Sequence, residues 1–107
     1  MRKPAEGGPL EVATYSNRGT YVDILAPGSL VKAIDAYGQV REFNRGTSFA
    51  APQVAGAVAL WRQKIPAASP AELQRSIQGS ADLTRVVLDT EDARHLTNRL
   101  LNVSTLP

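Results

Sequence analysis

The chain has 107 residues, 43% of them hydrophobic and 21% charged, with a formal net charge of +2 and no cysteine. Those values admit one small domain with a modest core and exclude disulfides and thiolate metal sites. Arginine and lysine are scattered without a block or stripe, so nucleic acid is not an expected partner; no apolar run approaches membrane-spanning length, so neither is a membrane.

Residues 1–12 are set apart as an irregular N-terminus on the strength of Pro4, Gly7, Gly8 and Pro9, and they lack the apolar core of an export signal. A short β-prone stretch begins at 11 and runs to 15, stopped by the turn signal Ser16-Asn17-Arg18-Gly19. Residues 21–26 read as a strand closed by Pro27-Gly28. Residues 30–34 and 40–43 read as two strands of a hairpin around Ala36-Tyr37-Gly38-Gln39. From Val54 to Leu60 a run of small apolar residues predicts a central buried helix continuing to about Lys64, with Val54, Val58, Trp61 and Ile65 on one stripe. Pro52 requires its first turn to be irregular or early. A second helix is signalled by Ser69 as cap, Pro70 in the first position and Glu72 closing a capping box, with Leu73 and Ile77 buried and Gly79 at its end. Residues 86–88 and 97–103 are expected strands, and the stretch around His95 reads as a polar loop.

Chemistry concentrates in residues 46–56, Gly-Thr-Ser-Phe-Ala-Ala-Pro-Gln-Val-Ala-Gly. Ser48 stands at a helix mouth, where orphan N–H groups and the helix dipole favour negative charge. Two readings are open: a helix cap, or a nucleophile with an oxyanion donor beside it. The whole string resembles the nucleophile motif of the subtilases, the subtilisin-like serine peptidases, written G-T-S-M-A-x-P-H-V-A-G, with Phe49 for Met and Gln53 for His. Arg45 is bulkier than the Ser or Asn often preceding Gly46. Upstream, residues 13–28 resemble the segment A-S-F-S-N-x-G-x-x-V-D-I-x-A-P-G at about the family's spacing. Ala68-Ser69-Pro70-Ala71 and Thr97-Asn98-Arg99-Leu100-Leu101 look like the proteinase K-like branch. The likeness covers about residues 13–103.

That resemblance implies an α/β fold, the C-terminal portion of a subtilisin-like parallel-sheet domain, with 1–107 a partial peptidase domain incomplete on its own. It implies a serine endopeptidase in which Ser48 forms the acyl-enzyme, Gly46, Thr47 and Ser48 make the nucleophile and oxyanion loop, and Phe49 borders the leaving-group side. The matching aspartate of the proteinase K-like branch helps bind calcium, which makes Asp23 a candidate ligand; an exposed strand aspartate is the other reading. No cofactor is required for the chemistry itself, and calcium is implied only as a structural ion. In the family's order Asp and then His precede Ser. Upstream of Ser48 there is no histidine, and Asp23 and Asp35 are the two aspartates, neither in a D-[ST]-G context. His95 lies downstream and outside any motif.

The isolated chain is therefore expected to be inactive on its peptide or protein substrate unless upstream sequence or a complementing N-terminal half supplies the missing groups. The rival expectations are a non-catalytic binding or scaffold module and one half of a split peptidase. The family implies secretion, while no signal peptide appears in these residues.

Overall fold

The β-prone residues on either side of residues 35–39 fold as the expected hairpin. In it β2 (Ser29–Ile34) pairs antiparallel with β3 (Val40–Arg45), Val31 opposite Phe43 and Ile34 opposite Val40. The structure is a computed structural model that describes residues 9–104. Asp35 closes the hairpin loop by accepting on Oδ1 from the N–H groups of Tyr37 (2.8 Å) and Gln39 (3.0 Å). Gly38 takes a φ of 78° there, in the left-handed region that glycine enters without penalty.

After Gly46 the chain enters α1 (Thr47–Lys64). Pro52 is tolerated inside it, at the cost of one N–H donor to the carbonyl of Ser48. The apolar run does form a helix, but not a buried one. Ala57 is the one buried residue of α1, while Leu60 is 51% exposed and Ile65 41% exposed. Small residues permit close approach on many sides, yet the main element against α1 is α2 (Pro70–Gly79), so burial is one-sided. Open clefts of about 270 and 370 Å³ run along the helix. Trp61, expected in the core, is half-buried, and its Nε1 is enclosed without a hydrogen-bond partner among the described residues.

The second helix follows its sequence signature closely. Ser69 Oγ accepts from the Glu72 N–H at 3.2 Å and donates to Glu72 Oε1 at 3.1 Å, Pro70 opens the helix, and Leu73 and Ile77 are buried. Gly79 is its last residue.

Parallel pairing is present but sparse. β1 (Leu10–Glu11) lies parallel to β4 (Val86–Val87), so the last residues of the stretch expected to be irregular, 1–12, are paired; residues 1–8 fall outside the described ones. The expected strand at 21–26 makes a single parallel bridge, Leu25 to Leu100, with Leu25 N–H donating to Arg99 O and Leu101 N–H to Leu25 O, both at 2.8 Å. Residues 97–103 likewise contribute only Leu100, which also bridges Asp82. β-propensity sets the extended backbone of such segments, but a ladder needs neighbours, and among the described residues segment 21–26 bridges only to Leu100. Around that bridge sits the core of Leu10, Val12, Leu25, Val86, Leu96 and Leu100, flanked by Val22 and Leu88.

The polar stretch read as a loop is a short helix, α3 (Thr90–His95). Asp89 caps it, accepting from the Asp92 N–H at 2.7 Å, with Glu91 and Asp92 in its first turn and Arg94 and His95 in its last, as the macrodipole favours. Asp92 also receives Arg18 Nε at 2.9 Å, while an Arg18 terminal nitrogen donates to the carbonyls of Ala13 (3.1 Å) and Ser16 (2.9 Å). One guanidinium thus ties the early turn to α3 across 74 residues. Arg18→Met keeps the aliphatic stem but leaves the largely buried Asp92 carboxylate and two carbonyls without that donor. It is expected to lower stability by about 1–3 kcal/mol, read as a shifted urea midpoint. Adding Asp92→Asn should recover part of that loss.

Candidate active site

The turn that enters α1 is built by Gly46. Its φ of 149° and ψ of 135° suit glycine, and a Cβ there would meet the Phe49 ring at 3.3 Å. Gly46 is the N-cap and makes no side-chain cap bond, having no side chain to make one. Thr47 and Ser48 are therefore the first two helical residues, and Ser48 is not the cap. Its hydroxyl is exposed and makes no hydrogen bond among the described residues.

The backbone donors of this turn divide cleanly. Gly46 N–H donates to Gly28 O at 2.8 Å and Phe49 N–H to Gly46 O at 3.1 Å. Helical geometry gives the N–H groups of Thr47 and Ser48 no partner within α1. A hydroxyl without a partner among the described residues, beside N–H groups without a partner inside the helix, at the positive end of an 18-residue helix can receive an oxygen that gains negative charge. The capping reading of Ser48 fails on position; the arrangement it leaves is suited to acyl transfer.

The neighbours of Ser48 are also fixed. Phe49 turns its ring onto Phe43 of β3, centroids 4.8 Å apart and planes 24° off parallel, and Arg41 lies over the other ring at 5.6 Å. Arg45 sits over the Tyr15 ring at 5.9 Å, and Tyr15 Oη meets Ser29 Oγ at 2.6 Å. Gln53 Nε2 donates to Pro27 O (2.7 Å) and Phe49 O (2.8 Å). Beside the turn, the open cleft of about 270 Å³ is lined by Val22, Leu25, Thr47, Ala50, Ala51 and Val54.

The residues that could activate Ser48 are elsewhere. Asp35 is committed to the hairpin loop. His95 Nε2 lies 3.7 Å from Glu91 Oε1 on α3. It lines, with Asp23, Arg94 and Arg99, an open hollow of about 260 Å³ that does not include Ser48. That hollow does not fit calcium. A calcium ion takes about six to eight oxygens, many of them carboxylate. Here Asp23 stands among two arginines and a histidine, and no group of three His, Cys, Asp or Glu occurs among the described residues. Away from both places, hydrogen bonds from the backbone N–H and the hydroxyl of Thr84 hold the Asp82 carboxyl below the usual carboxylate range. No helix among the described residues is long and apolar enough to cross a membrane.

The subtilase family model covers residues 9–101, and the chain belongs to that family. It is 36% identical over 89 residues to alkaline serine exoprotease A of Vibrio alginolyticus, spanning 83% of this chain and 16% of that protein. It is 38% identical over 69 residues to subtilisin Savinase of Lederbergia lenta, covering 64% of this chain and 25% of that protein. The crystal structure of a cold adapted subtilisin-like serine proteinase superposes with a TM-score of 0.73 at 35% identity, over 85% of this chain and 32% of the other. The chain thus spans between about a sixth and a third of these relatives' lengths.

Proposed function

We propose that the chain is the nucleophile-bearing portion of a serine endopeptidase, with Ser48 as the acyl-forming residue. The observation that carries this reading is the Ser48 hydroxyl, which makes no hydrogen bond among the described residues, beside N–H groups at the start of α1 that have no partner within the helix. Ser48 Oγ attacks the scissile carbonyl carbon while a base takes its proton. The Ser48 N–H, helped by the Thr47 hydroxyl, holds the oxyanion. Collapse breaks the C–N bond, the amine leaves with the proton, and water then hydrolyses the acyl-enzyme.

The base and its orienting carboxylate come from outside these 107 residues, because no histidine precedes Ser48 and His95 lies on α3 beside a hollow that does not include Ser48. A hydroxyl without a base is a weak nucleophile. The stacked Phe43 and Phe49 rings wall one side of the serine and shape the leaving-group side.

Complementation tests the reading. Residues 9–101 are joined behind the N-terminal portion of the cold-adapted subtilisin-like proteinase, and peptide hydrolysis is compared with that of the 107-residue chain. The chimera should hydrolyse peptides and the chain alone should not. Hydrolysis by the purified chain, lost on Ser48→Ala, would overturn the claim that the base lies elsewhere; a folded chimera without activity would count against the nucleophile assignment.

A further inference from the structure

Gln53 occupies the motif position where the family string has histidine, and its side chain makes two of the shortest side-chain bonds near the site. Nε2 reaches Pro27 O at 2.7 Å and Phe49 O at 2.8 Å. A primary amide nitrogen carries two hydrogens, so both are used. On the other side of Ser48, Gly46 N–H reaches Gly28 O at 2.8 Å. Two consecutive carbonyls, Pro27 and Gly28, therefore receive one donor from before the serine and one from after it.

The need for such a clamp follows from Pro52. Proline has no N–H, so the carbonyl of Ser48 loses its donor one turn along, and the first turn of α1 lacks a bond that would hold it in register. Gln53 is the next residue, and its side chain crosses the gap to the preceding segment.

We propose that Gln53 is a positioning residue for Ser48: its carboxamide staples the first turn of α1 to the Pro27-Gly28 corner and so fixes the direction of the Ser48 hydroxyl and N–H. This rests on the reading of Ser48 as nucleophile. Gln53 touches no reacting atom. It acts by holding the turn that bears one. Gln53→Met removes both donors at similar volume, and Gln53→Glu replaces them with an acceptor facing two carbonyls. An imidazole keeps one N–H, so Gln53→His preserves one of the two bonds.

The test has two arms with separate readouts. In the 107-residue chain, amide exchange at Gly46 should rise at least tenfold in Gln53→Met and return towards the parent rate in Gln53→His. Exchange at Leu25, bonded to Arg99 in the core, should not change. Unchanged Gly46 exchange, or a parallel rise at Leu25, overturns the proposal, since the first means no clamp and the second means general destabilisation. In the peptidase chimera, Gln53→Met should lower kcat by roughly 10- to 100-fold with KM little altered, the size expected of a misplaced reacting group. Full kcat in Gln53→Met beside an inactive Ser48→Ala sinks this inference and leaves the nucleophile intact. Full activity in Ser48→Ala sinks the nucleophile itself.

Discussion

In the chimera that restores the missing base, Ser48→Ala is expected to lower kcat by about 10⁴- to 10⁶-fold while KM stays close to that of the parent. The size follows from what is removed. The rest of the entry turn is assigned to other roles: Gly46 has no side chain, Phe49 carries no nucleophile and is stacked on Phe43, and the Thr47 hydroxyl helps to hold the oxyanion. Residual turnover above the uncatalysed rate would come from the oxyanion donors and substrate binding, which the substitution leaves in place. Initial-rate kinetics on a chromogenic peptide checks this directly. A loss of tenfold or less would mean that another group performs the attack.

The second large effect concerns stability. Leu25→Ala is expected to cost about 2–5 kcal/mol, enough to unfold much of a chain this small. Leu25 is 6% exposed, belongs to the central hydrophobic cluster, and carries the backbone bridge to residues 99–101. Its loss leaves a cavity where the two ends of the described chain meet. Leu60→Ala, at a residue 51% exposed on α1, should change stability by about 0.5 kcal/mol or less. Urea titration followed by circular dichroism separates the two. Equal costs would show that α1 is buried in solution, against the structure described here.

How much of this was legible in the sequence differs by element, for physical reasons. The second helix was readable because its signals are local: Ser69, Pro70 and Glu72 act on each other within one turn. The hairpin was readable because Ala36-Tyr37-Gly38-Gln39 is a short turn-forming loop between two β-prone runs; the closing bonds of Asp35 were added by the structure. α3 was missed although Asp89 is a good cap, since six residues with Ala93 as the lone apolar one offer no apolar period to announce a helix. Residues 21–26 and 97–103 were overcalled as strands; propensity describes one segment, whereas a ladder depends on a partner far along the chain. The same limit applies to α1, whose small apolar residues specify that it can be buried, not what buries it.

At the site, the string 46–56 pointed to Ser48, and the family match bears out the resemblance on which that rested. Geometry added what spacing could not. It removed the capping alternative, set Phe49 against Phe43, and brought Gln53 to the Pro27 carbonyl 26 residues earlier. It also brought Asp23 to the same open hollow as Arg94, His95 and Arg99, residues some 70 positions downstream.

The most direct measurement is to label the peptidase chimera with a fluorophosphonate, which reacts with an activated serine, and to map the modified peptide by mass spectrometry. A single adduct on Ser48, absent from the Ser48→Ala variant and from the 107-residue chain alone, is the predicted result. An adduct on any other residue, or undiminished labelling after Ser48→Ala, would contradict the assignment.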